Sequence, residues 1–155
     1  MIKGRIPKII SGGQTGADQA ALDWALWRGI ECGGWCPKGR KAEDGSISST
    51  YPLIETPSAN YIQRTEWNVR DAGGTLIFSI GSVLTGGSKK TVEFAKKHGK
   101  PCLHIHFGVK DAGKRLLEFV KDNEIKTLNV AGPRASKEPE VGEFVKEVLR
   151  LAWPE

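Results

Sequence analysis

The chain has 155 residues, 39% of them hydrophobic, enough to enclose one core but not two, so a single domain over 1–155 is expected. No stretch approaches the roughly 20 apolar residues that span a bilayer, and Met1 to Lys8 hold no apolar run of the signal-peptide kind, so a cytoplasmic protein without a membrane partner is expected. The net charge of +5 is spread along the chain; without a clustered basic stripe it argues against nucleic acid and remains compatible with small anions.

In chain order, short β-branched apolar runs alternate with helical patterns, the signature of βα units around a parallel sheet. Strands are predicted at Lys8 to Ser11, Ile30 to Trp35, Gly74 to Ile80, Pro101 to Phe107 and Thr127 to Val130. Helices are predicted at Gly16 to Arg28, Asn60 to Ala72, Lys90 to His98, Asp111 to Asn123 and Pro139 to Ala152. In the last helix Val141, Phe144, Val145, Val148, Leu149 and Ala152 form one buried stripe. The first helix carries two, Ala17, Ala20, Ala21 and Trp24 on one side and Leu22, Ala25 and Leu26 on another. A helix apolar on two sides is covered twice, so a homo-oligomer, dimer or tetramer, is expected. The long segment Cys36 to Tyr51, with Lys38, Arg40 and Lys41 near its start, reads as a lid or a solvated loop.

Ligands of open parallel sheets settle outside the carboxyl ends of the strands, and three of these strands end in glycine-rich turns. The first is Ser11-Gly12-Gly13-Gln14-Thr15-Gly16-Ala17-Asp18, running into a helix whose amides and dipole attract an anion. The same residues also fit a turn in which Thr15 caps the helix and Asp18 completes a capping box. The second is Thr85-Gly86-Gly87-Ser88-Lys89-Lys90-Thr91-Val92-Glu93, where hydroxyls and lysines join the glycine pair; Glu93 in the first helical turn could simply answer the dipole. The third is Ala131-Gly132-Pro133-Arg134-Ala135-Ser136, which adds a guanidinium and a hydroxyl. Together they point to a small phosphorylated ligand held by Gly12, Gly13, Gln14, Thr15, Asp18, Thr85, Gly86, Gly87, Ser88, Thr91, Gly132, Arg134 and Ser136, with Lys38 and Arg40 closing over it.

The ordered set of Gly12-Gly13-Gln14-Thr15-Gly16-Ala17-Asp18-Gln19, Pro37-Lys38-Gly39-Arg40, Ala42-Glu43-Asp44-Gly45, Asn68-Val69-Arg70-Asp71, Thr85-Gly86-Gly87-Ser88 and Ala131-Gly132-Pro133-Arg134 resembles the molybdenum carrier family over nearly the whole chain. The resemblance implies a three-layer Rossmann-like α/β fold with a parallel sheet of about five strands, related to the lysine-decarboxylase-like or LOG group. It implies a binding role with molybdenum cofactor as cargo. The LOG phosphoribohydrolases read Pro-Gly-Gly-x-Gly-Thr-x-x-Glu at the second loop; here the glycine pair and Glu93 align, while Thr85 replaces the proline and Lys89 the third glycine. An enzyme of that kind, acting on nucleoside monophosphates, is the alternative, with Glu93 and Arg70 as its catalytic residues.

The three cysteines are an odd number, and Cys32 and Cys36 lie outside the C-x-x-C spacing, so free thiols are expected. His104 and His106 share a strand face without a third obvious ligand, and no metal site is assigned. Trp24, Trp27 and Trp153 fit helix packing; Trp35 and Trp67 could pack or stack on a ligand.

Overall fold

The computed structural model describes residues 5–155. In chain order the elements are β1 (Lys8–Ile10), α1 (Ala17–Arg28), β2 (Cys32–Gly33), β3 (Trp35–Cys36), β4 (Lys41–Ala42), β5 (Gly45–Ser46), β6 (Ile54–Glu55), α2 (Tyr61–Asp71), β7 (Gly74–Ser79), α3 (Gly86–Lys97), β8 (Cys102–His106), α4 (Ala112–Asp122), β9 (Thr127–Ala131) and α5 (Val141–Ala152). Five strands form one parallel sheet in the order β2-β1-β9-β7-β8. Because β9 is inserted at the centre, counting from it instead of from β1 turns the order into 3-2-1-4-5, that of a doubly wound nucleotide-binding sheet. The point where strand order reverses lies between β9 and β7.

Side chains alternate across the sheet, and each face has its own cover. Ile9, Leu76, Phe78, Ile105, Leu128 and Val130 pack against Trp24, Leu116, Val145 and Leu149 of α1, α4 and α5 in the main core. On the other face Val69 of α2 and Phe94 and Ala95 of α3 form a smaller cluster. That face is partly polar: Thr75 and Asn129 are buried side by side, Asn129 Nδ2 donating to Thr75 Oγ1 at 3.2 Å. The apolar positions thus dictate three layers, and the polar ones mark where the second face is not simply core.

Two elements differ from the sequence reading. The predicted strand Ile30 to Trp35 breaks at Gly34, whose φ of +125° favours glycine and where a Cβ would meet the Ser11 backbone. Beyond the break, Asn68 grips Trp35, accepting from its N–H at 2.8 Å and donating to its carbonyl at 3.0 Å, and β3 pairs with β6 outside the main sheet. α3 begins at Gly86, not Lys90, so Gly86, Gly87 and Ser88 form its first turn. Glycines read as loop are tolerated there because first-turn N–H groups need no intrahelical partner.

The doubly apolar α1 is covered on both sides by its own chain. One side packs on the sheet and α5; Leu22 on the other meets Cys36, Ala42, Ile47 and Leu53. On the side where the sequence reading places a second subunit, residues 36–53 of the same chain cover Leu22, and Leu26 and Trp27 of α1 stay exposed. Arg40 fastens that segment by donating to the carbonyls of Ile47, Ser48, Tyr51 and Leu53 at 2.6 to 3.2 Å. Tyr51 adds a 2.6 Å bond to Asp23 of α1. Among the described residues no helix is long and apolar enough to cross a membrane, and all three cysteines are free.

Candidate functional site

At the reversal point a cleft of about 70 Å³ opens between the sheet edge, α2 and α3. Gly12, Gln14 and Asp18 come from the loop after β1 and the start of α1, Gly87, Ser88 and Thr91 from α3, and Gly132 from the end of β9. Three turns far apart in sequence meet here because their strands are neighbours in the sheet.

The loops do different work. After β1 the amides are already spoken for: Gly13 N–H donates to Ser11 Oγ at 3.2 Å, Gln14 N–H to Asp18 Oδ2 at 3.2 Å and Thr15 N–H to Gln14 Oε1 at 3.1 Å. Ala17 N–H, in the first turn of α1, donates to the Pro133 carbonyl at 3.2 Å. This loop is a rigid wall, and Asp18 braces it from within rather than completing a capping box with Thr15. The first turn of α3 is open by contrast, since no side chain caps it and it holds no acidic residue. Ser88 and Thr91 lie one turn apart on the face of α3 that looks into the cleft, with Thr91 Oγ1 donating to Gly87 O at 2.9 Å.

The floor of the cleft is charged. Arg64 on α2 is buried, donates to Gly12 O at 3.0 Å and lies 3.6 Å from Asp18 Oδ2. Burial pushes the Asp18 carboxyl up to about 6, opposed by the Arg64 charge and by the amides of Gln14 and Gly12. Asn68, one helical turn beyond Arg64, also lines the cleft. Arg64, Thr65, Asn68 and Asn129 are not among the expected site residues, although Asn68 opens the Asn68-Val69-Arg70-Asp71 run. The available signal is Arg64 and Asn68 at i and i+4, sharing the inward face of α2 with Val69.

Beside the cleft, Arg134 and Ser136 face a carboxylate of the chain itself. Glu43, at the tip of the β4–β5 hairpin, accepts from Ser136 N–H at 3.1 Å, from Ser136 Oγ and from Thr15 Oγ1, with Arg134 Nε 3.8 Å away. These hydroxyl bonds hold the Glu43 carboxyl below the usual carboxylate range. Gln14 Oε1 accepts from Glu43 N–H at 2.9 Å, fixing the hairpin to the wall.

Gly13, Thr85 and Gly86 do not line the cleft, and Arg40, Lys38, Arg70 and Glu93 lie away from it. Arg40 is committed to the carbonyls of its own segment, and Lys38 is exposed beside it. Arg70 pairs with Asp71 at 2.8 Å and lies over the Trp67 ring, an exposed arrangement on the outer side of α2. Glu93 pairs with Lys90 at 3.5 Å with 56% of its side chain exposed; five positions beyond Ser88 on a helix, it points away from the cleft. Trp35 and Trp67 pack edge to face, 4.8 Å between centroids, and do not line it. His104 Nε2 lies 2.6 Å from Ser79 Oγ, which donates to Gly81 O. Among the described residues no group of three His, Cys, Asp or Glu side chains could hold a metal ion.

Comparison with curated proteins gives no match. A crystal structure of a protein named a "putative molybdenum carrier protein", from Syntrophus aciditrophicus SB, superposes with a TM-score of 0.92 at 48% sequence identity, covering 96% of this chain and 95% of that one. The model of the circularly permutated YpsA SLOG family matches residues 9–153. The chain belongs to the circularly permutated YpsA SLOG family.

Proposed function

We propose that the chain is a cytoplasmic binding protein that takes the phosphate end of a small ligand, molybdenum cofactor or a related pterin or nucleotide, into the cleft between β9 and β7. The observation that carries this reading is the uncapped first turn of α3, with Gly87, Ser88 and Thr91 facing a cleft floored by the Arg64 guanidinium. A volume of about 70 Å³ is far below the roughly 300 Å³ or more of whole-ligand pockets, so only a phosphoryl-sized group enters while the remainder lies across the rim. The metal of a bound molybdenum cofactor would be held by the cofactor's own dithiolene, because the cleft supplies donors for oxygen and no metal-ligating cluster. The carrier name of the crystallographic relative is consistent with such a role.

A homo-oligomer remains part of the proposal, through a different surface from the one read in the sequence. Trp27, Phe107 and Phe144 line a shallow groove of about 700 Å³ between α1 and α5, rimmed by Glu143, Glu147, Lys146 and Arg150. The phosphoribohydrolase alternative gains no support from Glu93, which is exposed and paired with Lys90.

The test is thermal shift and titration calorimetry with nucleoside monophosphates, pterin phosphates and molybdate, alongside a search for released base. Binding by the wild type, weakened about 3- to 10-fold in Ser88→Ala by loss of one hydrogen bond and unchanged in Glu93→Gln, is expected. Binding indifferent to Ser88 would remove the cleft from the reading. Base release abolished in Glu93→Gln would replace the carrier with the hydrolase.

A further inference from the structure

We propose that Glu43 is a built-in competitor, its carboxylate filling an oxyanion subsite made by Thr15, Arg134 and Ser136, from which a tetrahedral oxyanion displaces it and frees the β4–β5 hairpin. The inference deepens the reading above and rests on it for the cleft beside the subsite.

The donors converge from two loops that the sheet brings together. Ser136 offers its N–H and its hydroxyl, and Thr15 offers a hydroxyl whose orientation is already set. Ala135 N–H donates to Thr15 Oγ1 at 3.1 Å, so one lone pair of that oxygen is taken and its proton is turned toward Glu43. Such a donor set, a backbone amide with two hydroxyls and a guanidinium, is that of an anion site.

A carboxylate fills it incompletely. Its two oxygens take both Ser136 donors and Thr15, yet Arg134 Nε stays 3.8 Å away and half of the Arg134 side chain is exposed. A tetrahedral anion has further oxygens for Arg134, and Lys137 stands next in the chain, its Nζ beside Gly86 at the start of α3. The two cations therefore bracket the path from the subsite to the open helix end.

The part that carries Glu43 is suited to move. Each strand of the hairpin has two residues, Lys41, Glu43, Asp44, Gly45 and Ser46 are exposed, and only Ala42 and Ile47 anchor it in the small cluster on α1. Glu43 N–H to Gln14 is the single link from the hairpin tip to the wall of the cleft other than the carboxylate itself. Lifting the tip would also release the side chain of Gln14, which lines the cleft.

The experiment titrates orthophosphate and molybdate, with chloride as control, into the wild type, Glu43→Gln, Glu43→Ala and Glu43→Ala/Ser136→Ala at low ionic strength. Expected is at least tenfold tighter binding in Glu43→Ala, a smaller gain in Glu43→Gln, and loss of the gain in the double variant. Saturating anion should speed amide exchange at 41–46 in the wild type. Equal gains for both anions assign the subsite to tetrahedral oxyanions in general, and a gain for molybdate alone assigns it to the free oxymetalate. Affinity unchanged or weakened in Glu43→Ala, or a gain that survives Ser136→Ala, overturns the proposal. Glu43→Gln, nearly isosteric, keeps the test valid should Glu43→Ala fold poorly. Ser88-dependent binding of a nucleoside monophosphate that persists while the phosphate gain is missing refutes the Glu43 competitor alone; loss of the Ser88 dependence with the gain intact refutes the cleft reading alone.

Discussion

Replacing Arg64 by Met keeps the bulk of the side chain on α2 and removes its charge from the floor of the cleft. The variant loses a charge-assisted hydrogen bond to Gly12 O, about 2 kcal/mol, and leaves Asp18 without its cation. The second cost depends on pH. Asp18 in the fold titrates at about 6, above the 3.8 of an unburied aspartate, so the folded form holds its proton longer and stability falls as pH rises between those values. Arg64 opposes this shift; without it the carboxyl rises further and the falling window extends above pH 6. At pH 5 Asp18 is largely protonated with or without Arg64, so the penalty stays near the ~2 kcal/mol of the lost bond. At pH 8 up to two further pH units of penalty enter at about 1.4 kcal/mol each, giving roughly 4–5 kcal/mol, within what breaking a buried pair costs. Urea unfolding of both proteins at pH 5, 6, 7 and 8 measures the difference directly. A penalty that is the same at every pH, or larger at pH 5, would show that Asp18 is not held ionised by Arg64.

Two further perturbations probe the architecture around the site. A Cβ at Gly132 would stand 2.6 Å from both Ala17 Cβ and Phe78 O, so Gly132→Ala should cost about 1–3 kcal/mol and lower the calorimetric midpoint by ~2–4 °C per kcal/mol; an unchanged midpoint would mean that β9 and α1 are less tightly apposed. Arg40→Ala frees the carbonyls of Ile47, Ser48, Tyr51 and Leu53, and chymotryptic cleavage after Leu53, buried in the folded segment, should quicken about tenfold or more with Ser88-dependent binding retained. Cleavage at the wild-type rate would show that the Leu22 cluster and the Tyr51–Asp23 bond hold the segment without Arg40.

The alternation of β-branched runs with helical stripes was enough to determine the layers, because hydrophobic period is a local property: Val141, Val145 and Val148 are buried as their spacing requires. The glycine turns at Gly12, Gly86 and Gly132 were legible for the same reason, and Gly12, Gly87 and Gly132 meet at one cleft. Which of their N–H groups are free was not legible, since that depends on partners remote in sequence. The amides after β1 are consumed by Ser11, Gln14 and Asp18, and Arg134 and Ser136 face Glu43 across 91 and 93 positions of chain. The same limit hid Arg64, a charge on the buried face of a helix whose pattern looks amphipathic in isolation, and gave Glu93 an importance its exposed position does not support. The sequence by itself determined the α/β layers and the turns at the sheet edge. Only the tertiary structure decided that β9 sits at the centre of the sheet, that residues 36–53 cover α1, and which carboxylates already occupy the donors, because each of these rests on contacts between distant segments that no local pattern encodes.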